Sequence, residues 1–316
     1  MKKLPCLMAL LMLITGCART DITTRTAFML DTFVTITLYG SSDPAAMDTA
    51  FEVIRRFDES LNRRNPESEV ARLSGRQQWP VEISAELAAL LEISVRHASR
   101  SAGAFDITIA PVVDLWFADA QTPPSPEKIA AALERVDYSN ILLDGRLLTL
   151  QNGAELELGG IAKGFIADEV GRALEGFELY GALINLGGDI LAIGEREFNI
   201  GINSPMEGRI IGSVKINNSA VATAGVYERY FIYGGRRYHH IIDARTGVPV
   251  DTGIVSVTVT SPSAADADAL STIALILGVE QGSALIENTP GARAVFLLED
   301  GSILSTDPDM LAENLR

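Results

Sequence analysis

Three short stretches of this sequence hold the residue types that chemistry at a phosphate needs. The first is "SPSAADADALST", residues 261–272. Asp268 and Thr272 stand four residues apart and so share one face of a helix. Ser263, followed three residues later by Asp266, has the form of a capping box that opens that helix. A carboxylate and a hydroxyl on one face offer oxygen ligands only, which suits Mg2+. The helix N-terminus beside them points backbone N–H groups at an anion. The same spacing also serves a solvated first turn whose acids favour the helix dipole.

The second stretch is "LGGIAKG", residues 158–164. Paired glycines between a strand and a helix let a backbone approach a ligand closely, and Lys163 can meet a phosphate or a ring oxygen. It is not a P-loop, because the G-x-x-x-x-G-K-[ST] spacing is missing and Gly164 follows the lysine. A plain tight turn has the same composition. The third is "YHHIIDARTGVPVD", residues 238–251, which holds His239 and His240, two of the chain's three histidines. Histidine is the side chain most easily recruited for proton transfer near neutral pH. His240, ahead of Asp243 and a turn through Thr246-Gly247, is placed to act as a base held by that turn. A strand histidine satisfied by local hydrogen bonds is the other reading. The third histidine, His97, lies on an amphipathic helical stretch and reads as a helix-surface or satisfied side chain.

These stretches need elements to hold them. "LDTFVTITLYG" alternates as a strand, and "DPAAMDTAFEVIRRFDESLNR" has helical spacing behind Asp43 and Pro44. "AELAALLEISVRHASRSAG" and "SPEKIAAALERV" are further helices, the latter with Ser125 as cap and Pro126 at its first position. "ILLDGRLLTL" reads as a hairpin turning at Asp144-Gly145. "ELELGGIAKGFIADEVGRALEG" starts as a strand and becomes a helix. "GALINLGGDILAIG", "FNIGIN" and "IIGSVKIN" read as successive strands, "GIVSVTVTSPSAADADALSTIALILG" as strand, turn and helix, and "ARAVFLLEDGSILST" as a closing hairpin. There is no internal repeat of fixed period and no long linker. Helices mix with antiparallel hairpins rather than alternating strictly with strands, which favours a single α+β domain, residues 29–316, over a doubly wound parallel sheet.

The N-terminus carries an address. Lys2 and Lys3 precede an apolar run from Leu4 to Ile14 and then "ITGC". This is a secretory signal over residues 1–16, too short to span a bilayer. "ITGC" resembles a bacterial lipobox, so Cys17 is expected to carry lipid, with residues 17–28 as a polar tether. The expected location is extracytoplasmic and membrane-anchored, on the periplasmic face or the outer surface of the cytoplasmic membrane. Cys6 leaves with the signal, so no thiol remains for catalysis or a disulfide. The formal net charge of −15 grows more negative still when the two lysines leave. So acidic a surface excludes nucleic acid and an electrostatic grip on a membrane.

Taken in order, the motifs resemble those of the ApbE family, the FAD:protein FMN transferases. They are "LDTFVTI", "SEVARLS", "GAFDITIAPVVDLW", "LGGIAKGFIADEV", "INLGGDI", "YERYF", "HIIDARTGVPV" and "ADALSTIALILG", from about Leu30 to the C-terminal hairpin. The resemblance implies an ApbE-like α+β globule that holds FAD with Mg2+ at its pyrophosphate. It implies transfer of the FMN half to a threonine, sometimes a serine, of a partner protein, with release of AMP. It implies acceptors among the flavin-carrying subunits of membrane redox complexes of the Rnf and Nqr type. By the same resemblance the metal ligands are the Gly160 carbonyl, Asp268 and Thr272. The flavin pocket is Leu30, Arg64, Ala104, Phe105, Asp106, Glu157, Lys163 and the Ile242 backbone. His240 matches the histidine of "H-x-I-D" and joins Asp268 as the catalytic pair; His239 has no counterpart and is structural. The chain departs from the family pattern at Leu30-Asp31, where Met-Gly is usual. It departs again at Arg64 (commonly aromatic), Val226 (often Asp) and Ala244 (usually Pro). Two other readings use the same residues: an FAD pyrophosphatase with water as nucleophile, and a flavin-binding scavenger lipoprotein.

Overall fold

The computed structural model describes residues 21–117, 122–206 and 208–311. The signal segment and Cys17 lie outside these. The chain opens with the hairpin β1 (Ile22–Met29) and β2 (Thr32–Tyr39), then α1 (Pro44–Leu61), β3 (Val81–Glu82) and α2 (Ala85–Arg100). Next come α3 (Ala110–Phe117), α4 (Pro126–Leu133), the hairpin β4 (Ile141–Asp144) and β5 (Leu147–Leu150), and α5 (Ala162–Leu174). Five strands follow: β6 (Gly181–Leu186), β7 (Asp189–Gly194), β8 (Phe198–Ser204), β9 (Arg209–Ile216) and β10 (Ser219–Gly225). Two small hairpins come next, β11 (Tyr230–Tyr233) with β12 (Arg236–His239), and β13 (Ile242–Asp243) with β14 (Val248–Pro249). The chain ends with β15 (Ile254–Ser261), α6 (Ala264–Glu287), β16 (Arg293–Leu298) and β17 (Ile303–Ser305).

An eight-stranded sheet in the order β1-β2-β6-β7-β10-β15-β16-β17 forms the centre. Each of its strand pairs is antiparallel, as the mixed pattern of helices and hairpins predicts. One face carries α6, against β10 and β15, and α5 packs on α6. The other face is covered by the β8–β9 hairpin, which buries Phe198, Ile202, Val214 and Ile216 against Ala192, Val221 and Val295. β15 is buried along nearly its whole length because it has helix on one side and hairpin on the other. Its run of valines and threonines suits that position. α6 is long and apolar enough to cross a membrane, yet thirteen of its residues are buried in the globule, as expected of a core helix.

Two expectations fail here. Residues 22–28 form β1, paired along its whole length with β2, rather than a tether. Their polarity belongs to an exposed sheet face: Thr24 meets Thr37 at 3.1 Å and Thr26 meets Thr35 at 2.9 Å, while Met29 packs on the core. β-branched threonine is a good strand residue whatever its polarity. The "ELEL" stretch is extended but joins no sheet. It makes a single parallel bridge, Ile109 to Glu155, and turns its leucines inward.

α5 and α6 approach each other closely at Gly164. A Cβ on Gly164 would come within 2.1 Å of the Ala264 carbonyl oxygen, so only glycine fits. Asp168, one turn further along α5, accepts N–H bonds from Ala264 (2.8 Å) and Ala265 (3.0 Å) and the Ser263 hydroxyl (2.8 Å). It thereby caps α6 from outside, on orphan donors that every helix start presents. Replacing Gly164 with alanine should cost at least about 2 kcal/mol, because backbone rather than a flexible side chain must move. Denaturant unfolding of Gly164→Ala checks this; an unchanged midpoint would mean the helices are free to separate.

Candidate active site

The α5–α6 contact brings three charged groups together. Lys163, at the start of α5, points its ammonium at Asp189 Oδ2 (2.7 Å) and Asp268 Oδ2 (3.5 Å). Asp268 Oδ2 also accepts the Gly164 N–H at 3.0 Å. Asp189 heads β7, behind the left-handed Gly187-Gly188 turn, and both carboxylates are buried. Burial pushes the Lys163 pKa down, but Asp189 and Asp268 outweigh it and hold the ammonium protonated. Burial, with Asp268 close by, pushes Asp189 up to about 7 against the pull of Lys163. Thr272 lies one turn beyond Asp268 on α6, half-buried, as the spacing predicts. The capping box is only half realised. Ser263 accepts the Asp266 N–H (3.2 Å), but the Asp266 carboxylate binds the buried His97 Nε2 at 2.8 Å.

His240 follows β12 directly. Its N–H donates to the Arg229 carbonyl at 3.0 Å, and its Nδ1 meets the same oxygen at 3.3 Å. A carbonyl only accepts, so Nδ1 carries the proton and Nε2 keeps its lone pair. Burial lowers the His240 pKa to about 4, and the Lys163 charge adds to that direction. The ring is therefore neutral at pH 7, with a proton-accepting nitrogen, within the field of Lys163. The turn after it does not hold it, contrary to the sequence reading. That turn is organised by Asp243, whose carbonyl accepts from Thr246 and Gly247 and whose carboxylate grips Arg245. His239 points the other way, into the core. Its Nε2 donates to the Val250 carbonyl (2.9 Å) and its Nδ1 accepts from Ile241 (3.3 Å), as a structural residue should.

The run 104–106 joins the two halves. Phe105 packs so closely on Gly160 that a Cβ there would lie 3.1 Å from its ring. The Ala104 carbonyl accepts the Ala244 N–H at 3.1 Å. Asp106 is fully engaged by its own loop: Oδ1 accepts from the Thr108 N–H and hydroxyl, and Oδ2 from the Tyr138 N–H. These bonds order the loop that carries Phe105. Glu157 accepts the Gly159 N–H (3.0 Å), which shapes the glycine turn, and lies 3.6 Å from Arg63. Arg64 is exposed and bonds through its backbone to Asn62; its neighbour Arg63 reaches Glu157 and Asp114 instead. Leu30 packs against the main core at a hairpin turn in which it (φ 54) and Asp31 (φ 55) are both left-handed. Ile242 is buried beside Trp116.

The model of the ApbE family matches residues 30–296. The chain belongs to the ApbE family. A protein of Klebsiella pneumoniae named "FAD:protein FMN transferase" is 34% identical over 293 residues, covering 90% of this chain and 92% of its own. One of the same name from Treponema pallidum is 33% identical, covering 90% and 87%. The crystal structure of the ApbE protein of Thermotoga maritima superposes with a TM-score of 0.83 at 30% identity, covering 91% of this chain and 97% of that one. The apo form of the Pseudomonas stutzeri flavinyl transferase ApbE gives 0.83 at 25%, covering 94% and 98%.

At Ala244, one of the departures expected from the motif, the N–H donates to the Ala104 carbonyl, a bond proline cannot make. Sequence reasoning missed two residues of this charged cluster and its helix contact. Asp189 sits inside the quoted "INLGGDI", but only the fold shows that it meets Lys163. Asp168 sits inside "FIADEV" as a helical acid, and only the α5–α6 contact makes it a cap.

The histidines give a direct check. With three of them, long-range 1H–15N spectra should resolve each ring. His240 should show the Nδ1–H tautomer and stay neutral until pH falls to about 4, and His239 should show the Nε2–H tautomer. An ordinary titration of His240 near its usual value of about 6.5 would refute the half-buried, carbonyl-bound ring.

Proposed function

We propose that this chain is a Mg2+-dependent FAD:protein FMN transferase, moving the FMN half of FAD to a threonine or serine hydroxyl of an acceptor protein and releasing AMP. The observation that carries the reading is a neutral histidine with a free Nε2 held within the field of a buried Lys163–Asp268–Asp189 cluster. The curated relatives in Klebsiella and Treponema bear that enzyme name, at identities of 34% and 33%.

The residues fit the metal the family implies. Among the described residues no three His, Cys, Asp or Glu side chains gather into a metal cluster. Mg2+ does not need one, since it binds through one or two carboxylates and takes further oxygens from substrate phosphates and water. Asp268, the Thr272 hydroxyl and the Gly160 carbonyl would hold it. The antiparallel register of α5 on α6 sets Gly164 beside Asp268 and Asp168 beside Ala264. Gly160 stands in the turn just before α5, and Thr272 one turn beyond Asp268 on α6. When bound, the ion supplies charge neutralisation on the pyrophosphate as AMP departs.

The chain's own residues do the rest. Lys163 meets the anionic substrate with a charge that the two carboxylates keep in place. The acceptor hydroxyl is a poor nucleophile until its proton is taken, and His240 Nε2 takes it. A bond forms from the acceptor oxygen to the FMN phosphorus, the bond from that phosphorus to the bridging oxygen breaks, and AMP leaves with that oxygen. The signal-like segment and Cys17 support an extracytoplasmic, lipid-anchored enzyme. Such a location supports acceptors among flavin-carrying subunits of Rnf- or Nqr-type membrane complexes.

The test uses the chain from Ala18 onward with FAD, Mg2+ and a soluble threonine-bearing flavin-acceptor domain. AMP release and the acceptor's intact mass are followed. A flavin mass that appears on the acceptor and is lost with EDTA is the expected result. AMP in the absence of acceptor, with the acceptor unmodified, would make the enzyme a pyrophosphatase, and FAD recovered intact would make it a flavin binder. His240→Ala should lower transfer by about 10²–10⁴-fold while FAD affinity holds. Full activity in that variant would remove His240 from the reaction.

A further inference from the structure

The outer face of the β1–β2 hairpin carries no charge. Opposed residues of an antiparallel pair share a face. On β1 that face is Ile22, Thr24, Thr26 and Phe28, opposite Tyr39, two threonines and Phe33 of β2. None of these side chains is charged, in a chain of formal net charge −15. The charges nearby stand elsewhere. Asp21 and Asp31 lie just outside the strands, and Arg25, on the opposite face, pairs with Asp48 of α1 at 2.8 Å. The β8–β9 hairpin, which covers neighbouring strands on this side of the sheet, meets β2 at Tyr39, whose ring lies 5.4 Å from Phe198. At the other end of the face Phe28 is 66% exposed and Phe33 69%, with their rings edge to face at 5.6 Å. Ile22 is 59% exposed.

The position of this face in the chain is a second observation. β1 begins five residues after Cys17, the cysteine of the lipobox-like stretch. Five residues reach at most about 18 Å, which is shorter than β1 itself at about 26 Å. A bilayer that holds Cys17 therefore lies within that reach of Ile22. β1 is also the edge strand of the sheet, with no strand between it and whatever lies beside it. Phenylalanine and aliphatic side chains on one polar-free face settle into the headgroup and acyl boundary, and the threonines between them can bond to headgroups. Charged side chains would resist such a transfer. The acidity of the chain as a whole excludes an electrostatic grip on a membrane, so an uncharged face is the kind of surface it can lay there.

Resting on the lipid-anchor reading above, we propose that the outer face of β1–β2 lies on the bilayer surface, with Phe28 and Phe33 set among the headgroups and upper acyl chains. The lipid on Cys17 supplies attachment and the face supplies orientation. Two phenyl rings and an isoleucine bury too little area to hold the protein alone. On a molecule already tethered, the second contact is intramolecular and needs little affinity of its own. Orientation bears on the candidate site. The Phe33 carbonyl accepts the Gly187 N–H at 3.1 Å, and the Gly187-Gly188 turn leads into Asp189, which meets Lys163. The charged cluster is thus fastened to the strand that rests on the membrane. This keeps it near the level of an acceptor segment that itself lies close to the bilayer.

The test uses the whole chain from Cys17 onward, in which Cys17 is the only cysteine. A maleimide phospholipid therefore attaches at that residue alone, in phosphatidylcholine vesicles that contain dibrominated lipid. Phe28→Trp is compared with Leu304→Trp, which lies on β17 at the opposite edge of the sheet and is 42% exposed. The emission of the unaltered chain, from Trp79 and Trp116, is subtracted. The emission added by Phe28→Trp should fall at least about twofold on brominated vesicles, as a side chain at the acyl boundary would, and that added by Leu304→Trp should not fall. Equal quenching of the two, or quenching of neither, overturns the proposal. So does a Phe28→Trp emission that shifts with protein concentration in the thiol-capped chain without vesicles, which would mean that a second copy covers the face. A shift caused by a soluble acceptor domain, with no quenching by lipid, would make the face a protein dock and overturn it as well. The anchor reading is judged apart from this, by the mass of Cys17 in protein recovered from its own cell membranes. An unmodified Cys17 there sinks the anchor reading, whereas the quenching pattern is read on a tether supplied by chemistry.

Discussion

The site depends on one contact, the approach of α5 to α6 at Gly164. Without a side chain there, the two backbones close until the Gly164 N–H reaches Asp268 and Asp168 reaches the start of α6. Both bonds satisfy groups that would otherwise be stranded in the core. The orphan N–H groups of a helix start need acceptors, and a buried carboxylate needs donors. Each helix therefore completes the other, and Lys163, Asp268 and Thr272 take their places from the result. Burial raises the Asp168 pKa. That marks the cost of placing a carboxylate between two helices, and its three donors are what offset it.

The charges themselves are arranged for something other than stability. A buried ion pair is weak evidence of stabilisation, since desolvation consumes most of its attraction. Here one lysine faces two buried carboxylates, and Glu228 is near enough to feel both Lys163 and Asp268. Negative charge is in excess, and burial together with Asp268 pushes the Asp189 pKa up to about 7. A fold selected only for stability would replace such a cluster with apolar side chains. Its retention in the centre of the molecule fits a site completed by a bound cation and an anionic ligand, whose own charges balance the excess.

How much of this was legible in the sequence depended on how far apart the partners stand. Asp268 and Thr272 could be read directly, because four residues on a helix is a fixed geometry. Most strands and helices could be read the same way, from period and caps. β1 was misread because its outward threonines and arginine look like a polar tether until their partners on β2 are known. Asp189 was invisible because its partner, Lys163, lies on another element with no local signal linking them. Asp106 was placed at the flavin pocket by resemblance, and its bonds to Thr108 and Tyr138 could be seen only in the fold. Its contribution reaches the site through the loop that carries Phe105.

The adjacent histidines show how the backbone divides two identical side chains between two tasks. In an extended chain successive residues face opposite ways, so only one of the pair can face the core. His239 does so, spending both nitrogens on backbone groups and bracing Val250 and Ile241. His240 is turned outward and spends one nitrogen on Arg229, which fixes the tautomer and leaves the other nitrogen basic. Burial then lowers its pKa to about 4. A lowered pKa weakens a base per encounter but keeps it unprotonated across the whole neutral range, beside a lysine that would otherwise compete for the same electrostatic space. Arg229, just ahead of the β11–β12 hairpin, therefore sets both the position and the tautomer of the His240 ring from across the turn.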